Sequence, residues 1–169
     1  MTRVGVMSDS HGIVSRQMYE FFKDVDIILH CGDIGSWQVL EKIRKFKPTV
    51  AVYGNIDGAE IYQEIKKVEC FKIEDCKILM THIGGYPEHY EKAMREMIAR
   101  EKPNIFLSGH SHILRVMYDK KYMLLHINPG ACGKSGFHTK STMVRFVIDK
   151  RTPKDLEIME MDRSSVSEV

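Results

Sequence analysis

The chain has 169 residues, 43% of them hydrophobic, which is enough for one ordinary domain with a sizeable buried core. Its 25 basic and 23 acidic side chains give a formal charge of +2 with no long Lys or Arg block, so no stable nucleic-acid complex is expected. There is no basic segment followed by an apolar h-region, and no apolar run approaches the roughly 18 residues of a membrane helix, so the chain reads as soluble and cytoplasmic, with no membrane partner.

The first apolar run, Arg3 to Met7, reads as a buried parallel strand ending in the turn Ser8-Asp9-Ser10-His11-Gly12. Ser15 is placed to cap a helix reaching about Lys23, with Met18, Tyr19 and Phe22 at helical spacing. Asp26 to His30 is a second strand, delivering Cys31-Gly32-Asp33-Ile34-Gly35. Ser36 caps a second helix whose apolar face is Val39, Leu40, Ile43 and Phe46, and Lys47-Pro48 closes it. Thr49 to Tyr53 is the third strand, followed by Gly54-Asn55-Ile56-Asp57. Such a βαβαβ series implies parallel strands with right-handed crossovers and helices packed on the sheet.

Val68 to Ile73 and Lys77 to Thr81, joined by Glu74-Asp75, read as a hairpin whose second run ends at His82. Pro87 is the expected start of a helix carrying Tyr90, Met94, Met97 and Ile98, ended by Lys102-Pro103. Asn104 to Ser108 is a short apolar run that delivers Gly109-His110-Ser111-His112. Leu114 to Tyr118 and Tyr122 to Ile127 form a further hairpin, and strands over Met143 to Ile148 and Leu156 to Met161 follow. Residues 1–161 are expected to be a single domain and 162–169 a frayed polar tail. The four cysteines, Cys31, Cys70, Cys76 and Cys132, lack C-x-x-C spacing and read as reduced, buried thiols.

Five apolar runs thus end in Gly- or Ser-containing turns bearing Asp, Asn or His. In an open α/β sheet such ends lie along one rim, where ligands bind. Along the chain they offer Asp9 and His11, then Asp33, Asn55, His82, and finally His110 and His112. Two carboxylates, four imidazoles and an amide suit manganese, iron, zinc, cobalt or nickel better than copper(I) or calcium. Seven ligands are too many for one open catalytic ion and divide well between two if one carboxylate bridges.

Through Asp9-x-His11, Gly32-Asp33, Gly54-Asn55-x-Asp57, His82 and Gly109-His110-x-His112, the sequence resembles the calcineurin-like metallophosphoesterases. The short chain and the Gly54-Asn55-Ile56-Asp57 segment look most like the YfcE-type phosphodiesterases. The resemblance implies an α/β four-layer αββα sandwich of two mixed sheets flanked by helices, with the second sheet drawn from strands after residue 112. It implies that Asp9, His11, Asp33 and His112 hold one ion and Asp33, Asn55, His82 and His110 the other, with Asp33 bridging. Two divalent ions, Mn2+ first and Ni2+, Fe2+, Zn2+ or Co2+ as alternatives, would then activate a water for in-line attack on a phosphodiester, with Asp33 and Asn55 as catalytic residues.

In many larger relatives a His directly follows the motif Asn and is thought to protonate the leaving alcohol or help bind phosphate. Here that residue is Ile56, which gives up no proton, so activated aryl diesters are expected to turn over best. Asp57 and His30 read as supporting residues, and His89, His126 and His138 as surface or packing residues, with His126 and Asn128 near the substrate mouth. The substrate is expected to be a small phosphodiester, nucleotide esters included, and a homo-oligomer is compatible with the sequence. The competing reading is a non-catalytic scaffold like the retromer subunit of this fold; the complete ligand set argues against it. A dinucleotide module is disfavoured because no G-x-G-x-x-G or Walker A run follows the first strand.

Overall fold

The computed structural model describes residues 1–169 and opens with β1 (Thr2–Met7), α1 (Arg16–Phe21), β2 (Ile27–His30), α2 (Trp37–Phe46) and β3 (Thr49–Ala51). Ser15 and Ser36 are both extended, and their side chains accept from the backbone N–H groups of Met18 and Val39. Each satisfies a donor that the first helical turn leaves without a partner. A short helix, α3 (Ala59–Tyr62), follows the third strand where no element is expected from the sequence.

The remaining elements are β4 (Val68–Ile73), β5 (Cys76–Thr81), α4 (Lys92–Glu101), β6 (Ile105–Leu107), β7 (Leu114–Asp119), β8 (Leu124–Pro129), β9 (Lys140–Asp149) and β10 (Thr152–Asp162). They form two five-stranded sheets, ordered β10-β9-β1-β2-β3 and β4-β5-β6-β8-β7. In each, three strands run parallel, β1 with β2 and β3, and β5 with β6 and β8; the outer strands are antiparallel additions.

This is the αββα sandwich, with a different division of strands from the expected one. The second sheet is built from residues 68–129, and the last two strands return to the first. Their return follows from register: β9 lies antiparallel to β1, pairing Val4 with Phe146 and Val6 with Val144, so its apolar residues join the same core. Consequently the five turns lie on the facing rims of two sheets rather than along one.

Alternation along each strand explains the three layers of core. Val4, Val6, Leu29, Ile78, Met80 and Ile127 face inward between the sheets. Met7 and Ile28 face outward against Met18, Phe22, Leu40 and Ile43 of the first helices, while Leu79 and Phe106 face outward against Met94 and Ile98 of α4. Strands covered on both faces need apolar residues at successive positions, which is why they read as continuous runs. Each fully buried aliphatic or aromatic side chain stabilises the fold by roughly 1.5–3 kcal/mol.

Three local expectations are corrected. The fourth helix starts at Lys92, not Pro87, because Glu88 sits at φ 73°, which a right-handed helix does not admit. Cys70 is exposed because β4 is an edge strand; the other three cysteines are buried and all four are free. Residues 162–169 are docked rather than frayed: Val166 is buried, Ser167 O accepts from Arg16 N–H, and Val169 N–H donates to Val14 O. No helix is long and apolar enough to cross a membrane.

Candidate metal centre

The turns that carry the donors are held in backbone conformations that side chains ordinarily avoid. Of the seven candidate residues, Asp9, His11, Asp33, His110 and His112 have φ between 46° and 68°. Left-handed non-glycine residues cost on the order of 1–3 kcal/mol each and persist only where the surroundings enforce them. Here the first two turns enforce each other, since Asp9 N–H donates to Gly32 O and His11 N–H to Asp33 O. Gly54 is needed for close approach, because a Cβ there would run into the Asp33 carboxylate and backbone. The buried Asp57 carboxylate clamps the second turn to the third, accepting from Gly35 N–H and Gly54 N–H at 2.8 Å each.

The two sheets meet at Asp9. Its Oδ2 accepts from Ser8 Oγ–H at 2.6 Å and from His110 N–H, across the sandwich, at 3.1 Å. Its Oδ1 is buried without a hydrogen-bond partner, although His112 Nε2 is 3.0 Å away and His11 and His82 Nε2 are each 3.8 Å away. His11 Nε2 is likewise unpartnered. Close donor atoms that make no hydrogen bond to one another are aimed at a common point instead.

Asp33 links the two halves of the cluster. Ile56 N–H holds its Oδ1 at 3.1 Å, and its Oδ2 lies 3.4 Å from His11 Nε2 and 3.2 Å from His82 Nε2. Beyond His82, Asn55 Oδ1 is 3.0 Å from both His82 Nε2 and His110 Nδ1. All seven sequence-predicted residues are therefore brought together. Two sets, Asp9 with His11 and His112, and Asp9 with Asp33 and His82, have ligand atoms within 4.8 Å of one another. Two ligands about 2.1 Å from one ion stand roughly 3.0–3.4 Å apart at right or tetrahedral angles. The Asp9–His112, Asp33–His82 and Asp33–His11 separations of 3.0, 3.2 and 3.4 Å match this spacing, and the two 3.8 Å separations from Asp9 Oδ1 are wider.

The far side of two imidazoles is committed elsewhere, which frees the near side. Cys31 O accepts from His82 Nδ1–H at 2.7 Å, leaving the Nε2 lone pair pointing at the cluster. His138, which has no motif around it, performs the same service for His112. Its Nε2–H donates to Gly133 O at 2.9 Å, so its Nδ1 accepts from His112 Nδ1–H at 3.2 Å. His112 Nε2 is thereby left as a lone pair beside Asp9. His30 also supports the site: Gly32 N–H donates to its Nδ1 and its Nε2–H donates to Ser10 Oγ at 2.8 Å.

Without an ion the charges balance through the imidazoles. Burial alone would push the Asp9 carboxyl up, but His11, His112, His82 and the Ser8 hydroxyl outweigh it and hold it well below the usual carboxylate range. Asp33 is lowered for the same reasons, burial being outweighed by His82 and the Ile56 N–H. His11 is raised chiefly by Asp9, and His82 is raised because Asp33 and Asp9 outweigh its burial. Carboxylates held ionised beside imidazoles held towards their charged form are a set in which a divalent cation could take the place of protons.

Asn55 and His110 are exposed, and two cavities open beside them. One of about 230 Å³ borders His110, Ile83 and His126; the other, of about 170 Å³, borders Asn55, His82, Ile83 and Tyr62. Asn128 steers the last turn, donating from Nδ2 to Gly109 O at 2.9 Å and to Ser111 Oγ at 3.0 Å. Ile56 is 45% exposed.

A family model of the calcineurin-like phosphoesterase superfamily domain matches residues 2–151. A probable metallophosphoesterase of Methanocaldococcus jannaschii is 29% identical over 163 residues, covering 93% of this chain and 82% of its own length. Among solved structures, an archaeal phosphodiesterase superposes with a TM-score of 0.74 at 25% identity, covering 94% of this chain and 99% of that one. Vps29 of Entamoeba histolytica, solved in complex with zinc, superposes with a TM-score of 0.72 at 16% identity over 95% of this chain and 99% of its own, a likeness of fold. A family that works with divalent metal ions, matched over nearly the whole chain and joined to this cluster of Asp and His, supports a metal-dependent phosphoesterase. The chain belongs to the calcineurin-like phosphoesterase superfamily.

Proposed function

We propose that the chain is a phosphodiesterase that holds two divalent ions, Mn2+ first among them. The observation that carries this reading is Asp33 Oδ2, within 3.4 Å of His11 and 3.2 Å of His82 and so within reach of both donor groups. Asp9, His11, Asp33 and His112 would hold one ion, and Asp33, Asn55, His82 and His110 the other. Divalent ions in such a site supply Lewis-acid polarisation of phosphoryl oxygens and a nucleophilic water that is deprotonated near neutral pH.

The chain's own groups do the rest. With two buried carboxylates against two divalent charges, the site carries roughly +2 and draws in a phosphate ester. Asn55 Oδ1 faces His82 and His110, which leaves its amide N–H groups to donate to a non-bridging phosphoryl oxygen as negative charge grows there. The oxygen of the water, already deprotonated with its proton lost to solvent, would bond to phosphorus as the P–O bond to one arm breaks in line, and that arm would depart as an anion with the bonding pair. Ile56 gives it no proton, so arms that are stable as anions leave fastest.

The test is hydrolysis of bis-p-nitrophenyl phosphate against p-nitrophenyl phosphate by metal-stripped protein reloaded with Mn2+, Ni2+, Zn2+ or Mg2+. Metal-dependent turnover favouring the diester is expected; preference for the monoester overturns the diesterase reading. Metal binding with no turnover would favour the scaffold reading, since a Vps29 of this fold was itself solved with zinc.

A further inference from the structure

Lys67 is held beside the metal centre by both sheets. Tyr53 N–H, just past β3, donates to Lys66 O at 3.1 Å, and Thr81 Oγ1–H, at the end of β5, donates to Lys67 O at 3.3 Å. Those two strands are the ones that deliver Asn55 and His82. Neighbouring carbonyls tied to both strand ends therefore fix the backbone of a residue whose side chain is exposed. The Lys67 ammonium has no carboxylate in ion-pair reach, so its charge is not spent inside the fold.

The segment just before Lys67 supplies a ring. Ile61 and Ile65 are buried in the helix-side core and pin α3 to the sheet, which leaves Tyr62 outside, 44% exposed, with its ring centroid 4.5 Å from that of the half-buried Tyr53. Tyr53, Tyr62 and Lys67 line the cavity of about 170 Å³ together with Asn55, His82 and Ile83. An apolar cavity of about 150 Å³ admits benzene, so there is room here for one ring. No carboxylate lines it, and Glu60 of α3 is turned away, accepting from Trp37 N–H at 3.2 Å. The 230 Å³ cavity on the other side of Ile83 has both Arg115 and Glu91 in its wall, so its charges do not favour an anion in the same way.

From this we infer that the cavity beside Asn55 seats one arm of the diester and selects an arm of a single ring bearing a second anionic group, through the Tyr62 ring and the Lys67 ammonium. The inference rests on the phosphodiesterase reading and adds the substrate class to it. With the phosphate at the metal cluster, the ring packs against Tyr62 and the second anion meets Lys67. Both side chains are exposed, so neither contact requires the fold to open. An uncharged ring fills the same space and leaves the ammonium to solvent.

The experiment compares calorimetric binding of 4-carboxyphenyl phosphate and phenyl phosphate, which differ by one anion, to Mn2+-loaded protein. The wild type is expected to bind the carboxylated ester about fivefold more tightly, with a preference that shrinks at high salt. Lys67→Gln is expected to abolish the preference, Lys67→Arg to keep it, and Tyr62→Ala to weaken both ligands alike. Equal affinities in the wild type, or the same preference in Lys67→Gln, overturn the anion contact; a Tyr62→Ala protein that binds both as tightly as the wild type overturns the ring contact. Hydrolysis of p-nitrophenyl 4-carboxyphenyl phosphate and p-nitrophenyl phenyl phosphate, which share a leaving group, is expected to show the same Lys67-dependent preference, mostly through KM. Preferential binding with hydrolysis of neither diester overturns the diesterase reading and leaves the anion pocket standing, whereas hydrolysis of both without a Lys67-dependent preference in binding overturns the pocket alone.

Discussion

Asp33 Oδ2 and His82 Nε2 stand 3.2 Å apart although one follows β2 in the first sheet and the other follows β5 in the second. An ion between them would tie the two halves of the sandwich together. Metal binding should therefore stabilise the whole fold, by about 2.7 kcal/mol at a hundred times Kd. For a chain of this size that is a rise in Tm of roughly 5–10 °C, measurable by calorimetry with Mn2+ against chelator. No shift with any divalent ion would contradict the centre.

His138 orients His112 through the contact between their Nδ1 atoms. His138→Ala should weaken binding of the ion at Asp9, His11 and His112 by ten- to a hundredfold, as loss of a ligand's supporting partner does elsewhere. His138→Asn, whose amide oxygen still accepts, should restore part of that affinity, measured by titration of metal-stripped protein. Equal affinity in all three proteins would reduce His138 to packing.

The buried His126 also makes a prediction about acid. Burial lowers its pKa to about 4; the Phe106 carbonyl and Asp119 oppose the shift and Arg115 adds to it. An unfolded imidazole takes up its proton near 6.5. Between pH 6.5 and about 4 the unfolded chain therefore binds more protons, and stability falls as pH drops. The loss from this group amounts to about 3 kcal/mol by pH 4 and is absent above 6.5. His126→Phe, which has no proton to take up, should lose correspondingly less between pH 7 and pH 4 in urea unfolding of metal-free protein. The same slope in both proteins would contradict a neutral, buried imidazole.

Ile56 follows Asn55 and is 45% exposed, and its aliphatic side chain has no proton to give a leaving group. Rates on a series of aryl and alkyl diesters should fall steeply with leaving-group pKa. Ile56→His should flatten that dependence, raising turnover of the poorest leaving groups by up to about a hundredfold. A wild-type rate independent of leaving-group pKa would show that another group supplies the proton.

The parts of the fold that local pattern encodes were legible before the structure. Ser15 and Ser36 stand one residue before helices, and the short apolar runs end at the turns that carry Asp9, Asp33, Asn55, His82 and His110. Which sheet a strand joins is a different matter. The pairing of β9 with β1 joins Val4 to Phe146, and both strands carry apolar residues that would suit either sheet. His138 was unreadable for a related reason: its partner His112 is brought close by a loop, and no spacing in the chain marks it. The tail is polar in sequence, and the backbone pairing of Ser167 and Val169 with Arg16 and Val14 that docks it leaves no mark in side-chain pattern.

Sharing of the Asp33 carboxylate by two ions, as proposed, is read by metal stoichiometry, through elemental analysis and calorimetric titration of the wild type, Asp33→Asn and His112→Ala. Two ions per chain in the wild type, one retained in His112→Ala, and both weakened together in Asp33→Asn are the predicted results. A wild type that binds a single ion, or an Asp33→Asn protein that keeps two at undiminished affinity, would contradict a shared carboxylate.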